Sequence, residues 1–64
     1  MIWEITIFEN ADDQEPARRG YVQAASETEA VETATQAMGN AKRADMRVVA
    51  AQVPSLPSGV VFWA

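Results

Sequence analysis

The sequence predicts a small α+β domain in which one amphipathic helix packs on an antiparallel sheet. Three observations support this fold class. Residues 2–8 are β-branched and aromatic, a helix-capping pattern begins at Ser26, and an apolar segment at residues 46–53 ends at Pro54. With a short fourth strand at the C-terminus, the predicted two-layer order is ββαβ(β), in a single domain covering residues 1–64.

The first predicted strand covers residues 2–8, whose residue types are typical of β-structure. Side chains alternate between the two faces of a strand, so Trp3, Ile5 and Ile7 share one face. That face is entirely apolar and should contact the core. The opposite face carries a mixed set, Ile2, Glu4, Thr6 and Phe8.

The second strand is predicted at residues 21–25, directly after Gly20. The polar residues 10–15 and then Pro16 separate it from the first strand, and proline has no N–H to donate to a ladder. This pattern predicts an antiparallel hairpin whose connection is longer than the usual two to five residues.

A helix is predicted at residues 27–38. Ser26 and Glu29 have the spacing of a capping box, in which the serine hydroxyl accepts from the Glu29 N–H and the carboxylate reaches back. Gly39 is typical of the position just past a helix C-terminus. The helical spacing of apolar residues predicts a mostly alanine face toward the sheet, formed by Ala30, Val31, Ala34, Ala37 and Met38.

The third strand is predicted at residues 46–53, beside the first, which gives the spatial order 2-1-3. Residues 54–59 have the composition of a turn. Residues 60–64 form an uninterrupted apolar and aromatic tail, which would promote aggregation unless it is covered. We therefore expect a fourth strand there, paired with the third strand as a hairpin or with a second subunit.

Chain length and composition favour self-association. Chains of 64 residues bury only about 60% of their unfolded surface, so the core is marginal. Cysteine and histidine are both absent, which removes disulfides and the common zinc sites, and we expect neither metal nor cofactor. A homo-oligomer, most simply a homodimer, or a complex with a larger protein is expected instead. The expected association surface is Ile2, Phe8, Val60, Val61, Phe62 and Trp63.

The chain is acidic, with a net charge of −4. Residues 1–32 contain eight acidic residues and two arginines, whereas residues 33–64 contain three basic residues and one acidic residue. The overall sign disfavours general nucleic-acid binding, which requires neutralisation of phosphates. A nucleic-acid-binding module is the alternative function, and it would use Arg18, Arg19, Lys42, Arg43 and Arg47.

The residue types that catalysis usually needs are missing. Without histidine or cysteine the common nucleophile–base pairs cannot form, and the closely spaced acidic residues fall in a polar loop and on the outer side of the helix. We predict no catalytic residue and no enzymatic activity. No apolar run approaches the roughly 20 residues of a membrane span, and residues 1–4 lack a basic signal region, so a cytoplasmic protein without membrane contact is expected.

Overall fold

The computed structural model describes residues 1–39 and 45–63. It has one helix packed on a three-stranded antiparallel sheet, with strand order β2-β1-β3. The α+β class and the central position of the first strand are therefore confirmed. The elements in chain order are β1 (Ile2–Phe8), β2 (Arg18–Gln23), α1 (Glu27–Met38) and β3 (Arg47–Val53).

The sheet is built around β1, which pairs with both other strands. Ile5 lies opposite Gly20 of β2 and opposite Ala50 of β3. The β2 strand begins at Arg18 rather than at residue 21, because its ladder with β1 continues to Ile7. Local composition does not predict a strand at Gly20, since glycine has a low strand propensity. The pairing with β1 overrides that preference.

The core lies between α1 and one face of the sheet. Strand side chains provide its bulk, and Ile5, Ile7 and Val22 are its largest fully buried residues. The helix contributes only Ala30 and Ala34 to the buried set. Val31 and Met38 of the predicted sheet-facing set are half-buried, and Ala37 is exposed. The buried residues are Trp3, Ile5, Ile7, Val22, Ala24, Ala30 and Ala34.

Local capping contacts fix both ends of α1. The Ser26 hydroxyl accepts from the Glu29 N–H at 3.2 Å, and the Glu29 carboxylate accepts from the Ala25 N–H at 3.4 Å. Gly39 ends the helix with a φ of 56°, a conformation that favours glycine. The predicted helix at residues 27–38 is confirmed at both boundaries.

The tail does not form the predicted fourth strand. Residues 60–63 have no strand structure, and the Trp63 N–H donates to the Tyr21 carbonyl oxygen at 2.9 Å. The tail therefore lies beside β2, and the expected hairpin with β3 is wrong. The physical reason is Gly20: without a side chain it leaves a gap on the helix side of β2, and the Trp63 indole fills that gap.

Candidate association surface

The sheet has one face that α1 covers and one that no helix or strand of residues 1–39 and 45–63 covers. We call the second face the outer face. Side-chain alternation and the two registers assign its members. They are Ile2, Glu4, Thr6 and Phe8 from β1, Arg19, Tyr21 and Gln23 from β2, and Arg47, Val49, Ala51 and Val53 from β3.

Apolar side chains on the outer face concentrate on the β3 side. Ile2 lies opposite Val53, and Val49, which is 39% exposed, lies opposite Thr6. Ala51 is exposed between them. We call Ile2, Val49, Ala51 and Val53 the apolar half of the outer face. The β2 side is polar by contrast.

A hydrogen bond joins the polar side of the outer face to the central strand. The Tyr21 hydroxyl donates to the Glu4 carboxylate at 2.8 Å, between residues that lie directly opposite each other. This hydrogen bond, then desolvation and then the negative charge of Glu4 raise the pKa of Tyr21 above its ordinary value of 10.0, while Arg19 opposes the shift. Tyr21, the largest side chain on the β2 side of the outer face, therefore already has a hydrogen-bond partner within the chain.

Phe8, which the sequence places in the association surface, is partly covered from β3. The Arg47 guanidinium carbon lies 4.2 Å from the centre of the Phe8 ring. Arg47 also donates to the Asp13 carbonyl oxygen at 3.5 Å, so it is held against the ring from the first loop. A cation–π contact of this kind at an exposed site is worth about 0.5–1 kcal/mol. Phe8 therefore already has a partner within the chain.

Trp63 of the expected surface lies on the opposite side of the sheet from Ile2 and Phe8. Trp63 packs against the core at Gly20, on the helix side of the sheet, and the Arg18 guanidinium carbon lies 5.8 Å from its ring centre. Val61 is 80% exposed and Val60 37% exposed, while Phe62 is half-buried. The six residues of the expected surface are therefore not one patch.

Three members of the apolar half were missed at the sequence level. Val49, Ala51 and Val53 follow the same two-residue alternation as β1, and they lie opposite Thr6, Glu4 and Ile2. The predicted order 2-1-3 places the third strand beside the first, so the same alternation along residues 46–53 identifies this half.

The basic residues of the nucleic-acid alternative do not all share one face. Arg18 lies on the helix side of β2 with Trp63, whereas Arg19 and Arg47 lie on the outer face. Lys42 and Arg43 fall outside the described residues. The structure therefore brings Arg19 and Arg47 onto one face and places Arg18 on the other.

A shallow cleft of about 160 Å³ lies at the C-terminal end of α1, lined by Arg18, Ala37, Met38 and Trp63. Within residues 1–39 and 45–63, no cluster of three or more acidic side chains is placed to hold a metal ion. No helix of this part of the chain is long and apolar enough to span a bilayer. Comparisons with protein-family models, curated proteins and solved structures found no match to this chain.

Proposed function

We propose that this protein is a non-enzymatic homodimer that acts through protein–protein contact, as a small accessory or regulatory factor. The observation that supports this proposal is the apolar half of the outer face, where Val49 is 39% exposed and Ile2 and Val53 are half-buried. A contiguous apolar patch on a small domain is typical of an interaction site.

The energetics of the core favour association. Three of the seven buried residues are alanines, so the folded chain buries few large side chains. Complete burial of one valine or isoleucine contributes about 1.5–3 kcal/mol. Val49 and Val53 from each of two copies would gain part of that amount. Association itself costs about 4–15 kcal/mol, so a stable dimer needs several of these side chains and not one.

The candidates for catalytic chemistry have structural roles or are exposed. The Ser26 hydroxyl accepts from the Glu29 N–H as the helix cap, and this contact involves no general base. Asp12 and Glu15 are exposed in the first loop, and Glu27 and Glu32 are exposed on the helix. These placements support a binding protein in preference to an enzyme.

The test is molar mass in solution for the wild-type chain and a Val49→Lys/Ala51→Lys variant. Position 51 lies opposite Glu4 and position 49 opposite Thr6, so the monomer fold tolerates a lysine at each. We expect a dimer for the wild type, and a folded monomer for the variant by sedimentation and circular dichroism. The control, Thr28→Lys/Gln36→Lys, adds the same charge at exposed helix positions and should remain a dimer.

A monomeric wild-type chain across the whole accessible concentration range would contradict the proposal. So would a Val49→Lys/Ala51→Lys variant that dimerises as strongly as the control. Either result would require another role for the apolar half.

The nucleic-acid alternative is favoured by one observation, the presence of Arg19 and Arg47 on the same outer face. It predicts a mobility shift of DNA or RNA at low salt, which an Arg19→Ala/Arg47→Ala variant would weaken. Under the homodimer proposal we expect no shift with either chain. A salt-sensitive shift that the double variant loses would favour the alternative.

A further inference from the structure

We infer that the second copy binds along the outer edge of β3, with the two β3 strands antiparallel and Ala50 on the two-fold axis. The two three-stranded sheets then form one continuous sheet. This inference rests on the proposed homodimer and specifies its interface. It follows from the two edges of the sheet, from the direction of the β3 backbone groups and from the β3 sequence.

The two edges of the sheet differ. At the β2 edge, the Trp63 N–H donates to the Tyr21 carbonyl oxygen, so the tail covers part of that edge. At the β3 edge, the interstrand partners of β3 among the described residues belong to β1. The β3 edge is therefore the side at which another strand can be added.

The hydrogen bonds of β1 show which β3 groups point outward. The Ala24 N–H donates to the Met1 carbonyl and the Ala17 N–H to the Ile7 carbonyl, so odd-numbered residues of β1 bond toward β2. Even-numbered residues of β1 then bond toward β3, because a strand directs successive residues to opposite sides. Their β3 partners are Arg47, Val49, Ala51 and Val53. The N–H and C=O groups that remain directed outward belong to Val48, Ala50 and Gln52.

The register centred on Ala50 satisfies all of these outward groups. With Ala50 opposite Ala50 of the second copy, Val48 lies opposite Gln52 of that copy, and the two edges exchange about six backbone hydrogen bonds. A shift of one bonded pair toward the C-terminal end of β3 sets Pro54 opposite Val48 and loses a donor, because proline has no N–H. The β3 edge is therefore self-complementary about Ala50, as a two-fold interface requires.

The side chains of β3 fit the same register. Between Arg47 and Pro54 the strand has no charged residue and no bulge, and both of those features commonly block edge pairing. On the outer face, Val49 would lie opposite Ala51 of the second copy and Arg47 opposite Val53 of that copy. No like charges face each other, and the two apolar halves become adjacent. The joined patch is a larger surface for a protein partner.

The first test removes an outward N–H without altering the outer face. Gln52 is exposed, and its N–H points away from β1, so Gln52→Pro should preserve the monomer. We expect this variant to raise the dimer dissociation constant at least tenfold by sedimentation, while Gln52→Thr, which keeps the N–H, stays within threefold of wild type. Circular dichroism checks that both variants are folded.

The second test reads the register directly, because the chain has no cysteine of its own. In the inferred dimer, positions 49 and 51 of opposite copies form a close, non-hydrogen-bonded pair with Cα atoms about 4.5 Å apart, within disulfide range. A mixture of Val49→Cys and Ala51→Cys chains should therefore oxidise to a covalent dimer in much higher yield than either chain alone.

The outcomes separate this inference from the proposed function. If the wild type is a dimer but Gln52→Pro dimerises normally, or the mixed cysteine chains form no preferential disulfide, the homodimer stands and the β3 interface is wrong. If the wild type is a monomer at all concentrations, both are wrong. Loss of dimer in Gln52→Pro with preferential disulfides between positions 49 and 51 supports both.

Discussion

Trp63 occupies the space that a side chain at Gly20 would need. A Cβ built on Gly20 would overlap the indole ring, so the two positions are complementary in size. Gly20 is buried in β2 although glycine is unfavourable in a strand. The close approach of the indole explains why glycine is accommodated there.

The first prediction concerns this pair of residues. Gly20→Ala should lower the free energy of unfolding by about 1–3 kcal/mol, because the new methyl group displaces the indole. In a Trp63→Ala background the same change should be neutral, or stabilising by about 0.4–1 kcal/mol, since alanine restricts the unfolded chain more than glycine does. Urea unfolding of the four chains measures the coupling. An equal loss of unfolding free energy in both backgrounds would show that overlap with the indole does not cause the destabilisation by Gly20→Ala.

The second prediction separates the roles of the tail residues. Trp63→Ala should lower the free energy of unfolding by up to about 3 kcal/mol, because the indole packs against the core while remaining only half-buried. Val61→Ala should stay within about 0.5 kcal/mol of wild type, since Val61 is 80% exposed. Chemical unfolding of both variants checks this difference. Similar effects of the two changes would contradict the placement of Trp63.

The third prediction concerns alkaline pH. The Glu4 contact raises the pKa of Tyr21 above 10.0, so the folded state holds the hydroxyl proton more tightly than the unfolded state. The resulting stabilisation is fully present below pH 10 and is lost as the pH rises through the higher folded-state pKa. Glu4→Gln should shift the titration of this single tyrosine downward, and ultraviolet absorbance follows it.

Glu9→Gln is the matched control, because it removes one negative charge at an exposed position without breaking the Tyr21 contact. It should leave the tyrosine titration closer to wild type than Glu4→Gln does. Equal shifts in the two variants would mean that net charge, and not the direct contact with the Glu4 carboxylate, raises the pKa of Tyr21.

The fourth prediction concerns the start of α1. Ser26→Ala should lower the free energy of unfolding by about 1 kcal/mol, because it leaves the Glu29 N–H without its side-chain acceptor. Ser58→Ala, at an exposed loop position, should change it by less than about 0.5 kcal/mol. Thermal or urea unfolding compares the two serines. A larger effect at Ser58 would contradict the capping role.

The sequence predicts the parts of the fold that local signals define. The Ser26 cap and Gly39 lie within one turn of the helix ends they fix, so both boundaries of α1 follow from the pattern. The position of the tail depends instead on a contact between Trp63 and Gly20, which are distant in sequence. No local pattern encodes that contact, and the apolar composition of residues 60–64 is equally typical of a strand.

The sequence predicts only part of the candidate surface, because the rest depends on contacts between residues that are distant in sequence. Alternation along residues 2–8 places Ile2 and Phe8 on the face away from the helix, and the register confirms that placement. Arg47 covers Phe8 from a neighbouring strand, and this contact depends on the pairing of β1 with β3. Composition alone cannot distinguish an uncovered aromatic ring from one that a distant arginine shields.

The central position of β1 also has a consequence for the rate of folding. β1 comes first among the three strands, whereas its second neighbour, β3, comes last. The β1–β2 hairpin can form early, but contacts such as that between Ile2 and Val53 require most of the chain to close into a loop. Folding should therefore be slower than in a helical bundle of the same length, with arrival of β3 as the limiting event.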